Sequence, residues 1–174
     1  TLKGEVDADY PDIRLFKQAK WPGVKGGRWA VANASEAYAF SAIGYLTGKY
    51  YYLSENGNVP VGLIFAAVGG TTINLWTTYN SFDYDPDTKP KRNSGHYSSM
   101  VSPWTEMTVG HVLWYQGESN SREPQYYNGH SINLVDSYRE IFGEDTPFGM
   151  VQLANFENDA DFRLLREAQL DTFK

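Results

Sequence analysis

Short apolar runs alternate along this chain with segments in which apolar residues recur every three to four positions. Residues 13–16 follow Asp9-Tyr10-Pro11-Asp12 and read as a strand, and residues 21–27, with one proline and three glycines, read as loop. Ser35 stands where a helix cap belongs, ahead of Tyr38, Phe40, Ile43, Leu46 and Tyr50 at near-helical spacing, until Glu55-Asn56-Gly57-Asn58 breaks the chain. Residues 59–68 are almost wholly apolar, the pattern of a strand buried on both faces, and run into Gly69-Gly70-Thr71-Thr72. The polar stretch 79–95 predicts a long surface loop of the kind that borders a site. A second buried strand is expected at 111–115, a helix at 133–142 with Ile132, Val135 and Ile141 as its apolar positions, a third buried strand at 147–153, and a charged final helix over 159–172. Strand and helix alternate, so the expectation is one α/β domain over residues 1–174 built on a parallel sheet. There is no internal repeat and no low-complexity segment.

Composition narrows the function classes. With 41% hydrophobic and 21% charged residues the chain can bury a core. Fifteen Lys and Arg against 21 Asp and Glu give a net charge of −6, which argues against nucleic acid as partner. Lys89, Lys91 and Arg92 are few and read as a solvated loop. Aromatics reach 16%, a level that suits stacking on sugars and a Tyr-rich core equally well. The absence of cysteine removes thiol nucleophiles, disulfides and Cys-based zinc sites, and leaves the compartment open. No apolar run approaches the roughly 20 residues of a membrane span. No signal-peptide core opens the chain, so Thr1 reads as an internal or processed start. The glycosylation pattern Asn33-Ala34-Ser35 is too common to place the protein.

Candidate chemistry gathers at three strand ends, where parallel α/β sheets bind their ligands: Gly69-Gly70-Thr71, Gln116-Gly117-Glu118-Ser119-Asn120, and Gln152-Leu153-Ala154-Asn155. Paired glycines let backbone N–H groups face a ligand with no Cβ in the way, and neighbouring amides can donate to a developing oxyanion. The competing reading is structural, with glycines turning the chain and Gln or Asn capping the next helix. Gly69-Gly70 lacks both the Lys-Ser/Thr of a phosphate loop and the third glycine of a dinucleotide fingerprint. His96, His111 and His130 have no metal-ligand spacing. His111 reads as structural, and His96 and His130 as exposed loop residues. Glu118 could pair with another carboxylate as in a glycosidase, but its Gly-Glu-Ser setting favours binding backbone amides.

At these strand ends the chain resembles the sialate O-acetylesterase family, the carbohydrate-esterase branch of the SGNH hydrolases. The resemblance is carried by residues 11–16, 40–45, 59–64 with Gly69-Gly70-Thr71 and Trp76, then Trp114-Tyr115-Gln116-Gly117-Glu118-Ser119-Asn120, Pro147-Phe148 with residues 151–156, and Leu165-Arg166-Glu167-Ala168-Gln169. These segments come in the family's order and cover nearly the whole chain. The resemblance implies a three-layer α/β/α sandwich of flavodoxin-like type. It implies removal of O-acetyl groups from sialic acid or other glycans through a Ser-His-Asp acyl-enzyme mechanism, without metal or organic cofactor. It gives Gly69 and Gly70 the role of backbone oxyanion donors, and Gln116 that of side-chain donor, with Asn120 as the alternative. Thr71, Trp76, Glu118 and Asn155 become candidate substrate contacts, Glu118 bracing its turn and Trp76 either walling the sugar or filling core. A secreted, periplasmic or lysosomal setting goes with such substrates.

Two family elements have no counterpart among the 174 residues: the Gly-Gln-Ser-Asn-Met nucleophile turn, and the Asp-x-x-His element expected after Gln169. None of Ser41, Ser98, Ser99 and Ser119 lies in such a turn, and none of the three histidines matches the family's base. Ala66-Ala67-Val68 and Asn74 are local departures that bear on substrate preference. The nucleophile and base are therefore expected outside these residues, with a further segment or second chain completing the sheet. The rival expectation is a non-catalytic structural or glycan-binding protein that kept the scaffold.

Overall fold

The computed structural model describes residues 2–6, 9–18, 27–78, 95–156 and 160–173. Of the loops expected at 21–27 and 79–95, residues 21–26 and 79–94, with Lys89, Lys91 and Arg92, lie outside the described residues. The chain divides into two compact units, residues 1–67 and 68–174. The α/β expectation holds, with parallel strand pairs in both units.

In the first unit, β1 (Tyr10–Lys17) alternates as a half-covered strand should, with Ile13 and Leu15 buried and Arg14 exposed. It pairs in parallel with β3 (Val61–Phe65), from Ile13 opposite Val61 to Lys17 opposite Phe65. On its other side it pairs antiparallel with β2 (Trp29–Ala32), so the sheet order is β2-β1-β3. The short Trp-Ala-Val-Ala strand carries no clear turn signal in the sequence and is an addition to the expected parallel sheet. The core joins Val6, Ile13, Leu15, Ala32, Ala37 and Tyr45, with Leu46 and Leu63 packed against it.

The helix expected after Ser35 is two helices. Asn33, not Ser35, caps α2 (Ala34–Tyr38), its Oδ1 accepting from Glu36 N at 3.0 Å. The chain then turns, and Ser41 caps α3 (Ala42–Ser54), its Oγ accepting from Gly44 N at 3.2 Å. Helix α3 lies close on β3: a Cβ added at Gly48 would meet Leu63 Cδ1 at 2.6 Å. A short helix, designated α1 (Leu2–Glu5), is tied to α3 by Lys49, whose Nζ donates to Glu5 Oε2 at 2.6 Å and to Glu5 O at 2.9 Å.

In the second unit, β4 (Val112–Trp114) and β5 (Phe148–Met150) form a two-stranded parallel sheet. Helix α4 (Tyr127–Phe142) begins well before the expected residue 133, and α5 (Ala160–Asp171) falls where the pattern puts it. The core gathers Ile73, Trp76, Met100, Trp114, Tyr127, Leu134, Tyr138, Leu153 and Leu165. Tyr138 donates to Trp76 O at 3.1 Å, and burial holds its phenol well above the ordinary pKa.

The three strands expected to be buried on both faces are not. Gly62 in β3, Leu113 in β4 and Gly149 in β5 are exposed. Each strand is also shorter than its apolar run. Val61–Phe65 starts just after Pro60, which has no N–H to give a ladder. Among the described residues each of these three strands has one ladder partner and sits at the margin of its sheet.

Candidate functional site

Thr71, Trp76, Gln116 and Asn120 are joined by hydrogen bonds at the turns that follow β3 and β4. Gly69 and Gly70 form an exposed turn, Gly70 at φ +75°. Thr71 closes it, its Oγ1 donating to Val68 O at 2.8 Å and accepting from Trp76 Nε1 at 3.0 Å. Trp76 is only 4% exposed and stacks edge-on against Trp114 at 6.1 Å, so its indole holds Thr71 from within the core.

The second turn begins at Gln116, whose amide reaches back to the first. Gln116 Nε2 donates to Thr71 O at 2.9 Å and to Asn120 Oδ1 at 2.8 Å. Tyr127 lies on the other side, its hydroxyl 2.9 Å from both Gln116 Oε1 and Gln116 O. Burial pushes the Tyr127 phenol up, which keeps it a protonated donor. Asn120 is buried, and its Oδ1 also accepts from Ile73 N at 3.0 Å. Backbone N–H groups only donate and backbone carbonyls only accept, so Thr71 O and Ile73 N fix which way both side-chain amides face. Gln116 therefore has both Nε2 hydrogens engaged. Asn120 has its oxygen clamped twice, and its Nδ2 has no acceptor among the described residues.

Between them stands Gly117 at φ +156°, buried, where a Cβ would lie 2.9 Å from Leu153 Cδ1 and 3.0 Å from Gln169 Nε2. Gln169 of α5 is 2% exposed and bridges two backbone segments. Its Oε1 accepts from Leu153 N at 2.9 Å and its Nε2 donates to Gln116 O at 3.0 Å. Sequence reasoning gave neither Tyr127 nor Gln169 a role. The available signal was a glutamine on the same helical face as Leu165 and Ala168, a polar group in an apolar stripe.

The remaining candidates stand apart from this network. Glu118 and Asn155 are exposed, and Gln152 donates to Arg166 O at 2.9 Å. His96, expected to be exposed, is half-buried 5.0 Å from the Trp76 ring, and burial pulls its pKa down. His130, expected in a loop, lies in α4, and burial pulls its pKa down too. Among the described residues no three acidic or histidine side chains gather to hold a metal ion. No described helix is long and apolar enough to cross a membrane.

A carbohydrate acetylesterase from Xanthomonas citri superposes with a TM-score of 0.84 at 29% identity, over 98% of this chain and 41% of that one. Human sialate O-acetylesterase is 33% identical over 135 residues, 66% of this chain and 25% of the human protein. The mouse enzyme is 25% identical over 170 residues, 70% of this chain and 31% of its own length. The chain thus spans about a quarter to a third of the curated relatives it matches. The family model for carbohydrate esterases described as sialic acid-specific acetylesterases matches residues 15–174, and the chain belongs to that family.

Proposed function

We propose that this chain forms the charge-stabilising half of a carbohydrate O-acetylesterase site. The substrate class is an O-acetylated sugar, with sialic acid first among the candidates. A serine Oγ attacks the acetyl carbonyl carbon and passes its proton to a histidine. The carbonyl oxygen takes the negative charge, and collapse expels the sugar hydroxyl, which recovers that proton. Water then releases acetate from the acetyl-serine. The serine and histidine come from segments beyond these 174 residues, and the reaction belongs in a secreted, periplasmic or lysosomal setting.

Asn120 Nδ2 and the backbone N–H groups of Gly69 and Gly70 act on the developing oxyanion. The observation that carries this reading is the double clamp on Asn120 Oδ1 from Gln116 Nε2 and Ile73 N, which leaves the amide hydrogens free in a fixed direction. A donor held before the charge develops needs no reorganisation when it does. The same geometry favours Asn120 as donor over Gln116, whose hydrogens are spent. Thr71 and Trp76 hold the glycine turn, while Glu118 and Asn155 are exposed and able to meet the sugar.

In the longest polypeptide carrying these residues, Asn120→Ala should lower turnover of an acetyl ester by roughly 10²–10³. Gln116→Ala, which loses one of the two clamps, should lower it less. A rate untouched by Asn120→Ala would remove Asn120 from the reaction.

A further inference from the structure

Helix α5 reaches the candidate donor turn by a hydrogen bond from Gln169. Gln169 lies 53 residues from Gln116 in sequence, yet its Nε2 donates to the Gln116 carbonyl at 3.0 Å. Its Oε1 accepts from Leu153 N at 2.9 Å, and Arg166, one helical turn earlier, donates from Nε to Leu153 O at 2.8 Å. Both backbone polar groups of Leu153 are thus held by α5. The backbone leaving β5 is stapled through Gln169 to the backbone leaving β4. The polarity of the bridge is fixed, because Leu153 N can only donate and Gln116 O can only accept.

A glutamine is an expensive choice for this place. It is 2% exposed on the face shared with Leu165 and Ala168, where a leucine or methionine would fill the space without a polar group to satisfy. What the amide adds is direction. It fixes the Gln116–Gly117 peptide, and Gly117 O in turn accepts from Asn120 N at 2.7 Å. Gly117 is the residue that makes room, since any Cβ there would press on Gln169 Nε2.

We propose that Gln169 is a positioning residue for the acetylesterase reaction, orienting the 116–120 turn so that Asn120 meets the oxyanion. This rests on the reading of Asn120 given above. Two variants test it in the longest polypeptide carrying these residues. Gln169→Met keeps the length and loses both bonds, and Gln169→Glu keeps the acceptor and loses the donor. Either variant that melts cooperatively carries the test. The expected result is a fall in kcat for an acetyl ester of about tenfold to a hundredfold with KM within about twofold, the signature of a misplaced transition-state contact. Combined with Asn120→Ala, the Gln169 change should cost nothing further, because it acts through a donor already removed. A kcat unaffected in a cooperatively melting variant overturns the proposal, as does a loss that multiplies with that of Asn120→Ala. In both cases Asn120→Ala alone still lowers the rate. If Asn120→Ala alone leaves the rate unchanged, the parent reading falls and this one with it.

Discussion

Gly69 and Gly70 are adjacent and both open to solvent, yet they should respond differently to a methyl group. Nothing lies within 4 Å of a Cβ at either position, so packing does not separate them. Only Gly70 has a left-handed backbone, at φ +75°. Gly70→Ala should therefore cost about 1–2 kcal/mol of stability, and Gly69→Ala within about 0.5 kcal/mol of nothing, read by urea unfolding. Gly117→Ala adds crowding to strain, since its Cβ would lie 2.9 Å from Leu153 Cδ1, and should cost about 1–3 kcal/mol or more in the same assay. The glycines and amides were legible as chemistry because their types and their places after apolar runs are local features. The choice between Gln116 and Asn120 was not. It depends on partners 45 and 47 residues away, Thr71 O and Ile73 N, which no spacing rule brings together.

Helix caps separate the two ways of dividing residues 33–54. Asn33→Ala and Ser41→Ala should each cost about 1 kcal/mol, because each removes the acceptor for an N–H at a helix start. Ser35→Ala, at an exposed position inside α2, should be close to neutral; thermal melts of the three variants decide it. Continuous apolar spacing from Tyr38 to Tyr50 hid the turn at residues 39–41, since short helices in succession can keep one face apolar. Strand positions were easier to read than strand environments. An apolar run marks a strand but does not report how many neighbours it has, and Leu113 and Gly149 are exposed within theirs. The tie between α1 and α3 has a pH signature. Hydrogen bonds from Lys49 and then Tyr50 lower the Glu5 pKa below its usual 4.5. Burial opposes the Lys49 ammonium, but the bond to Glu5 and the nearby Tyr10 phenol outweigh it and raise its pKa. A carboxyl lowered in the folded state contributes stability above its unfolded pKa and loses it as pH falls through the folded one. The melting temperature should fall as pH drops below about 4.5, and Lys49→Met should flatten that fall.

Among the described residues one ladder ends after three strands and the other after two. A two-stranded sheet is marginal by itself, and strand margins carry N–H and C=O groups suited to further pairing. The 174 residues contain a hydrogen-bonded turn network around Gln116 and Asn120 but no Gly-Gln-Ser turn, and the relatives they match are about three times as long. These observations support a reading in which the attacking serine and its histidine join from additional chain. The 174-residue polypeptide should then hydrolyse an acetyl ester without any serine-dependent turnover. Ser41→Ala, Ser98→Ala, Ser99→Ala and Ser119→Ala should each leave its residual rate where it was. The longest polypeptide carrying the same residues should instead show an acetyl-enzyme burst that vanishes with a serine outside them. Robust turnover by the 174 residues, abolished by one of those four substitutions, would place the nucleophile inside this chain and reverse the division of labour.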